Sequence, residues 1–167
     1  MAKIGEVLKK TLQQSQGRYM DDLCNDMVKH NVTNVNATKT LTPEESGIVV
    51  LGAAVGTAQA ASTGFTVKLP TPQRGLWYNF ILRPPSIANN SNAAIIVTAT
   101  SDGSTAANIA VGMVTVNEAP TNVVAGVDIL TFVHNAATCG DHATYVCDGT
   151  NWFVNAVGDA AGSVTLA

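Results

Sequence analysis

The chain has 167 residues, of which 46% are hydrophobic, 13% charged and 5% aromatic, and its net charge is −3. So apolar and so weakly charged a composition excludes wholesale disorder, and nine Lys and Arg scattered without a basic block exclude a nucleic-acid-binding stripe. Soluble domains carry about 25% charged residues, so part of this surface is expected to be covered by other protein.

Residues 1–45 hold twelve of the chain's twenty-one charged side chains. In that segment Ile4, Val7, Leu8 and Leu12 recur at spacings of three and four, and Tyr19, Leu23 and Met27, with Cys24 and Val28, do the same. That period predicts amphipathic helix, with Gly17 bending or separating two runs. His30 closes the second run, where a cation favours the helix C-terminus. The apolar stripe is narrow, so it must lie on the body, a second copy or another protein. Ile4, Val7, Leu8, Leu12, Tyr19, Leu23 and Met27 are therefore the candidate partner-binding residues. Residues 31–40, NVTNVNATKT, are polar and read as a linker. The expected organisation is a helical arm and linker over 1–40 and a β body over 41–167.

The body reads as strands. Phe65, Val67 and Leu69 alternate with Thr66 and Lys68, the pattern of a half-buried strand. Further runs are 48–55, 76–82, 94–100, 109–116, 123–133, 143–147, 151–157 and 164–166. Pro70 to Pro72, Pro84-Pro85, Asp102-Gly103 and Asp148-Gly149 punctuate them. Eight or nine short strands so separated predict a mainly β fold: an antiparallel sandwich or barrel, jelly-roll-like, behind the N-terminal helical segment. Asp148-Gly149-Thr150-Asn151, between two strand runs, predicts a tight hairpin.

Chemistry is sparse. There is no Gly-x-Ser-x-Gly elbow and no phosphate-cradling glycine loop with its Lys. Cys139, His142 and Cys147 lie within nine residues and have zinc-ligand chemistry, but no fourth ligand accompanies them and Cys147 falls inside a strand pattern, so inert positions are the better reading. His134 and His142 beside Asp141 or Asp148 form an acid–base pair only if a nucleophile joins them, and no motif places one. Asp141 and Asp148 read as turn residues. Asp102, Glu118, Asp128, Asp141, Asp148 and Asp159 are the carboxylates from which a glycosidase pair would have to come. The sequons at Asn31, Asn36 and Asn89 are expected to go unused. Trp77 and Trp152 read as core, with exposure to a sugar or a neighbouring subunit as the alternative. No catalytic, cofactor or metal residue is assigned.

The start, MAKIGEVLKK, has no apolar h-region, so no signal peptide is expected. The longest apolar stretch, 48–61, is interrupted by Gly52, Gly56, Thr57 and Gln59 and falls short of the about 20 residues of a membrane span. The three cysteines, Cys24, Cys139 and Cys147, are expected to stay reduced.

Leu41 to Leu51 (LTPEESGIVVL), Gly64 to Leu82 (GFTVKLPTPQRGLWYNFIL), Thr100 to Gly103 and Gly140 to Gly158 (GDHATYVCDGTNWFVNAVG) follow one another in a recognisable order. The succession resembles tailed-bacteriophage head decoration or cement proteins and related β-rich virion knob and fibre domains. Leu-Pro-x-Pro-x-x-Gly-Leu and Asp-Gly-Thr-x-Trp carry the likeness. It covers most of residues 41–167 and leaves out the helical arm. What it implies is a non-enzymatic body on the outer surface of a capsid, commonly a homotrimer, assembled in the host cytoplasm and stabilising contacts between major capsid protein subunits. It supplies no catalytic residues, and no cofactor, nucleic-acid partner or membrane partner is expected. A fibre, spike or tail knob that binds a host receptor or glycan is the alternative.

Overall fold

The computed structural model describes residues 31–52, 64–83, 95–99, 109–123, 128–133 and 136–167. All of them belong to one compact unit, Asn31–Ala167. The segment expected to form a helical arm, with the stripe from Ile4 to Met27, lies outside the described residues.

Twelve strands occur among the described residues: β1 (Val32–Val35), β2 (Lys39–Thr40), β3 (Gly47–Leu51), β4 (Phe65–Lys68), β5 (Trp77–Leu82), β6 (Ile95–Thr98), β7 (Ala110–Val116), β8 (Ala119–Val123), β9 (Ile129–Phe132), β10 (His142–Cys147), β11 (Trp152–Gly158) and β12 (Val164–Leu166). A single turn of 3-10 helix, Pro43–Glu45, precedes β3. The mainly β expectation holds. The linker expectation for 31–40 does not, because β1 and β2 are edge strands of the two sheets. Only Val35 of this stretch is buried, and an edge strand with one inward apolar residue reads as loop.

The seven-stranded sheet runs β1-β3-β5-β10-β11-β7-β8, and the five-stranded sheet runs β12-β9-β6-β4-β2. The expected antiparallel, jelly-roll-like pairing is replaced by a mixed one. β1, β3 and β5 are mutually parallel, as are β2, β4 and β6, and β7 is parallel to β11. The antiparallel pairs are β5–β10, β10–β11, β7–β8, β6–β9 and β9–β12. The cause is the route of the chain. From β1 to β6 each strand lies in the sheet opposite its predecessor, so every second strand returns to the same sheet in the same direction. Parallel neighbours need such a crossover, and here the other sheet supplies it.

Strict alternation puts one side of each strand into a single core. β5 buries Tyr78, Phe80 and Leu82, β10 buries Ala143, Tyr145 and Cys147, and β11 buries Trp152, Val154 and Ala156. From the other sheet come Val67, Ile95, Val97, Leu130, Phe132 and Val164. Tyr78, Phe80, Tyr145 and Trp152 pack as a cluster with centroids 5.7–6.4 Å apart, mostly tilted or edge-on, the arrangement ring quadrupoles favour. Gly112 of β7 sits opposite Val154, where a Cβ would lie 1.9 Å from the Val154 carbonyl oxygen. No other residue permits that close approach of β7 to β11.

The expected hairpin joins β10 to β11. Asp148 Oδ1 accepts the N–H groups of Thr150 and Asn151, both at 2.8 Å, and Gly149 takes φ +109°. A second two-residue hairpin joins β7 to β8, with Asn117 and Glu118 at φ 50° and 61°, the positive-φ pair that matches strand twist.

Candidate interaction surface

Three of the candidate carboxylates, Asp128, Asp141 and Asp148, are committed to backbone. Asp128 is 1% exposed, and its Oδ1 accepts the N–H groups of Ile109 and Ala110 at 3.0 Å each. Asp141, also buried, accepts from Thr138 N–H at 2.9 Å and Asp159 N–H at 3.0 Å. Asp148 holds the hairpin, and those backbone donors keep its carboxyl below the usual carboxylate range. A carboxylate so occupied is a clasp, since its charge is already matched by fixed N–H dipoles. Asp141 and Asp148 are thus the turn residues the sequence suggests. The role of Asp128 had no local signal, because its partners are 18 and 19 residues away.

His142 lies on β10 with Nδ1 3.1 Å from the Gly140 carbonyl oxygen. Cys147 is buried in the core, its Sγ accepting from Gly149 N–H at 3.3 Å, while Cys139 is exposed in the loop before β10. The zinc candidate is not assembled: among the described residues no three His, Cys, Asp or Glu side chains come together as a metal site. His134 and Asp102 lie outside them. Among the described residues no helix is long and apolar enough to cross a membrane.

Tyr145 is fully buried, and that burial, reinforced by the Asp128 charge, pushes its hydroxyl pKa up. Tyr78 is raised chiefly by burial and then by Glu45 and Glu44, and its hydroxyl donates to the Thr42 carbonyl at 2.7 Å. Trp152 has no exposed surface, which removes it as a sugar platform. Trp77 is half-buried and on the opposite side of its strand from Tyr78.

That opposite side is the outer face of the seven-stranded sheet. Register lays its side chains in three rows. Trp77, Val146, Phe153 and Val111 form the first. Val32, Ile48, Asn79, Thr144, Asn155 and Met113 form the second. Asn34, Val50, Ile81, His142, Val157 and Thr115 form the third. None of these positions is Lys, Arg, Asp or Glu. Arg83 reaches only the corner, donating to Asn34 Oδ1 at 2.6 Å. Within the middle row Thr144 Oγ1 donates to Asn79 Oδ1 at 3.3 Å.

Four large hydrophobic side chains are exposed among the described residues: Val32 (53%), Met113 (40%), Val146 (47%) and Phe153 (49%). All four stand on this face, and Val146 and Phe153 are directly paired. An apolar row of Trp77, Val146, Phe153 and Val111 thus lies beside a row that carries the amides and hydroxyl of Asn79, Thr144 and Asn155. Strand alternation placed Trp77, Asn79 and Ile81 together in the sequence, but both alternate sets of β5 and β10 contain apolar residues, so which set faces out was not legible.

No protein-family model matches the chain, and neither a curated protein nor a solved structure matches it.

Proposed function

We propose that this chain is a non-enzymatic structural component of a virus particle: a decoration or cement protein that sits on the outer capsid surface, associates with itself, commonly as a homotrimer, and stabilises contacts between major capsid protein subunits. The observation that supports this reading best is the outer face of the seven-stranded sheet, which holds no Lys, Arg, Asp or Glu in its rows and gathers every exposed large hydrophobic among the described residues. Soluble monomers rarely leave a contiguous apolar patch of more than a few hundred Å² in water. A shell protein needs buried area across subunit seams and no chemistry, and the clasp roles of Asp128, Asp141 and Asp148 accord with that.

The fibre, spike or knob reading is favoured by one observation. Trp77 and Phe153 flank Val146 on the outer face, with Asn79 and Asn155 in the adjacent row, and aromatic planes beside amides are the chemistry that binds sugars. The two readings part on one experiment. Purified chain is added to particles that lack it, and their survival of heating is measured. The decoration reading predicts raised survival that saturates with added protein. No binding, or binding without stabilisation, would contradict it.

A further inference from the structure

We infer that the outer face of the seven-stranded sheet is covered by a second copy of this chain around a rotation axis, with Val146 and Phe153 among the side chains buried in the contact. The inference deepens the self-association in the proposed function and rests on that part of it alone.

Size is the first argument. The six strands from β1 to β7 in sheet order, at about 4.8 Å spacing, and five residues along each, at about 3.4 Å, give a patch of about 29 by 17 Å, or about 500 Å² in projection. Side chains make the accessible area larger than its projection, which brings the face near the about 800 Å² that each partner contributes to an ordinary interface.

Charge is the second argument. No Lys, Arg, Asp or Glu occupies a position of the three rows; Arg83 touches the corner through Asn34, and His142 stands in the third row. A partner of strong charge therefore finds only a guanidinium at the rim and one imidazole here to be steered by. An identical face brings no carboxylate or ammonium to its rows either, so its centre can approach without desolvating a fixed charge.

Self-complementarity is the third. Asn79, Thr144 and Asn155 each carry both donors and acceptors, so this row can bond its own copy, which is the requirement of a symmetric contact. The flanking row of Trp77, Val146, Phe153 and Val111 supplies apolar anchors beside it, and aromatic anchors next to hydrogen-bonding groups are common in such contacts.

The test uses the full chain without particles. Mass in solution is measured by sedimentation and light scattering over a thousandfold concentration range for the wild type, Phe153→Glu, Val146→Glu and the control Thr165→Glu. Thr165 is exposed on β12 of the other sheet. Thermal melts verify that each variant is folded, and Val146→Thr and Phe153→Tyr serve where a Glu variant is not. The expected result is a wild-type and control oligomer. Phe153→Glu and Val146→Glu should raise its dissociation concentration by about 100-fold, the effect of setting like charges against each other in a buried contact. A monomeric wild type, or an oligomer indifferent to both face substitutions, overturns the inference. So does glycan capture by a monomeric chain that Phe153→Glu removes. A monomer that still binds particles would sink this inference and leave the capsid reading standing.

Discussion

Replacing Asp128 by Ala should destabilise the body far more than replacing it by Asn. The carboxylate sits at the start of β9 in one sheet and holds the N–H groups of Ile109 and Ala110 at the start of β7 in the other. Its own carbonyl oxygen accepts from Ala99 N–H, just past β6, at 2.8 Å. It therefore clasps the two sheets at one end of the sandwich. Asp128→Ala leaves two buried or half-buried N–H groups without their acceptor, at about 1–3 kcal/mol each, so the loss is about 2–6 kcal/mol. Asp128→Asn keeps an acceptor oxygen and loses only the charge assistance, about 1 kcal/mol. A body of this size shifts its melting temperature by about 2–4 °C per kcal/mol. Scanning calorimetry and urea unfolding should thus separate the two variants by several degrees, with the wild type highest. Equal melting temperatures for Ala and Asn, or a neutral Ala, would refute the clasp.

Three further outcomes follow from particular contacts. Gly112→Ala should cost about 1–3 kcal/mol, read by urea unfolding, and Val154→Ala in the same chain should not restore it, because the nearest obstacle is the Val154 carbonyl oxygen. Asp148, held charged by backbone N–H groups in the folded state, stabilises the fold above its unfolded pKa of about 3.9 and stops doing so as pH falls through its lower folded value. The melting-temperature gap between wild type and Asp148→Asn should therefore be widest near neutral pH and close on acidification; a gap that grows toward pH 3 would contradict the sign. Tyr78 and Tyr145 have raised pKa values, so their contribution is complete below the unfolded value of about 10 and is lost as pH rises above it. In a Tyr19→Phe chain, tyrosinate absorbance should appear only together with unfolding, and a smooth titration at pH 10 in the folded state would count against their burial.

The sequence made some of this legible and concealed the rest for identifiable reasons. Alternation in Phe65–Lys68 and Trp77–Leu82, and the Asp-Gly turn before Trp152, are local signals, and the strands and the hairpin stand where those signals put them. Pairing direction is a non-local property: a half-buried strand has the same period whether its neighbour is parallel or antiparallel. The alternation of β1 to β6 between the sheets therefore left no mark, and an antiparallel body was expected where the pairing is mixed. β1 and β2 were missed because VTNV and KT present almost no apolar residue to the core. β8 was missed because Pro120 lies in it, and proline is tolerated there only because β8 is an edge strand. Trp152 and Trp77 looked alike as strand tryptophans, yet register buries one and half-exposes the other. The outer face itself is a product of six strands brought together, visible only once their order is known.

The central claim is that this chain is spread over a viral shell and works by buried surface. Its copy number relative to the major capsid protein, measured by quantitative mass spectrometry of purified particles, tests that directly. The account predicts a ratio near one or a simple lattice fraction of one. A ratio far below that would move the protein to a vertex, fibre or tail, and its absence from particles would contradict the claim outright.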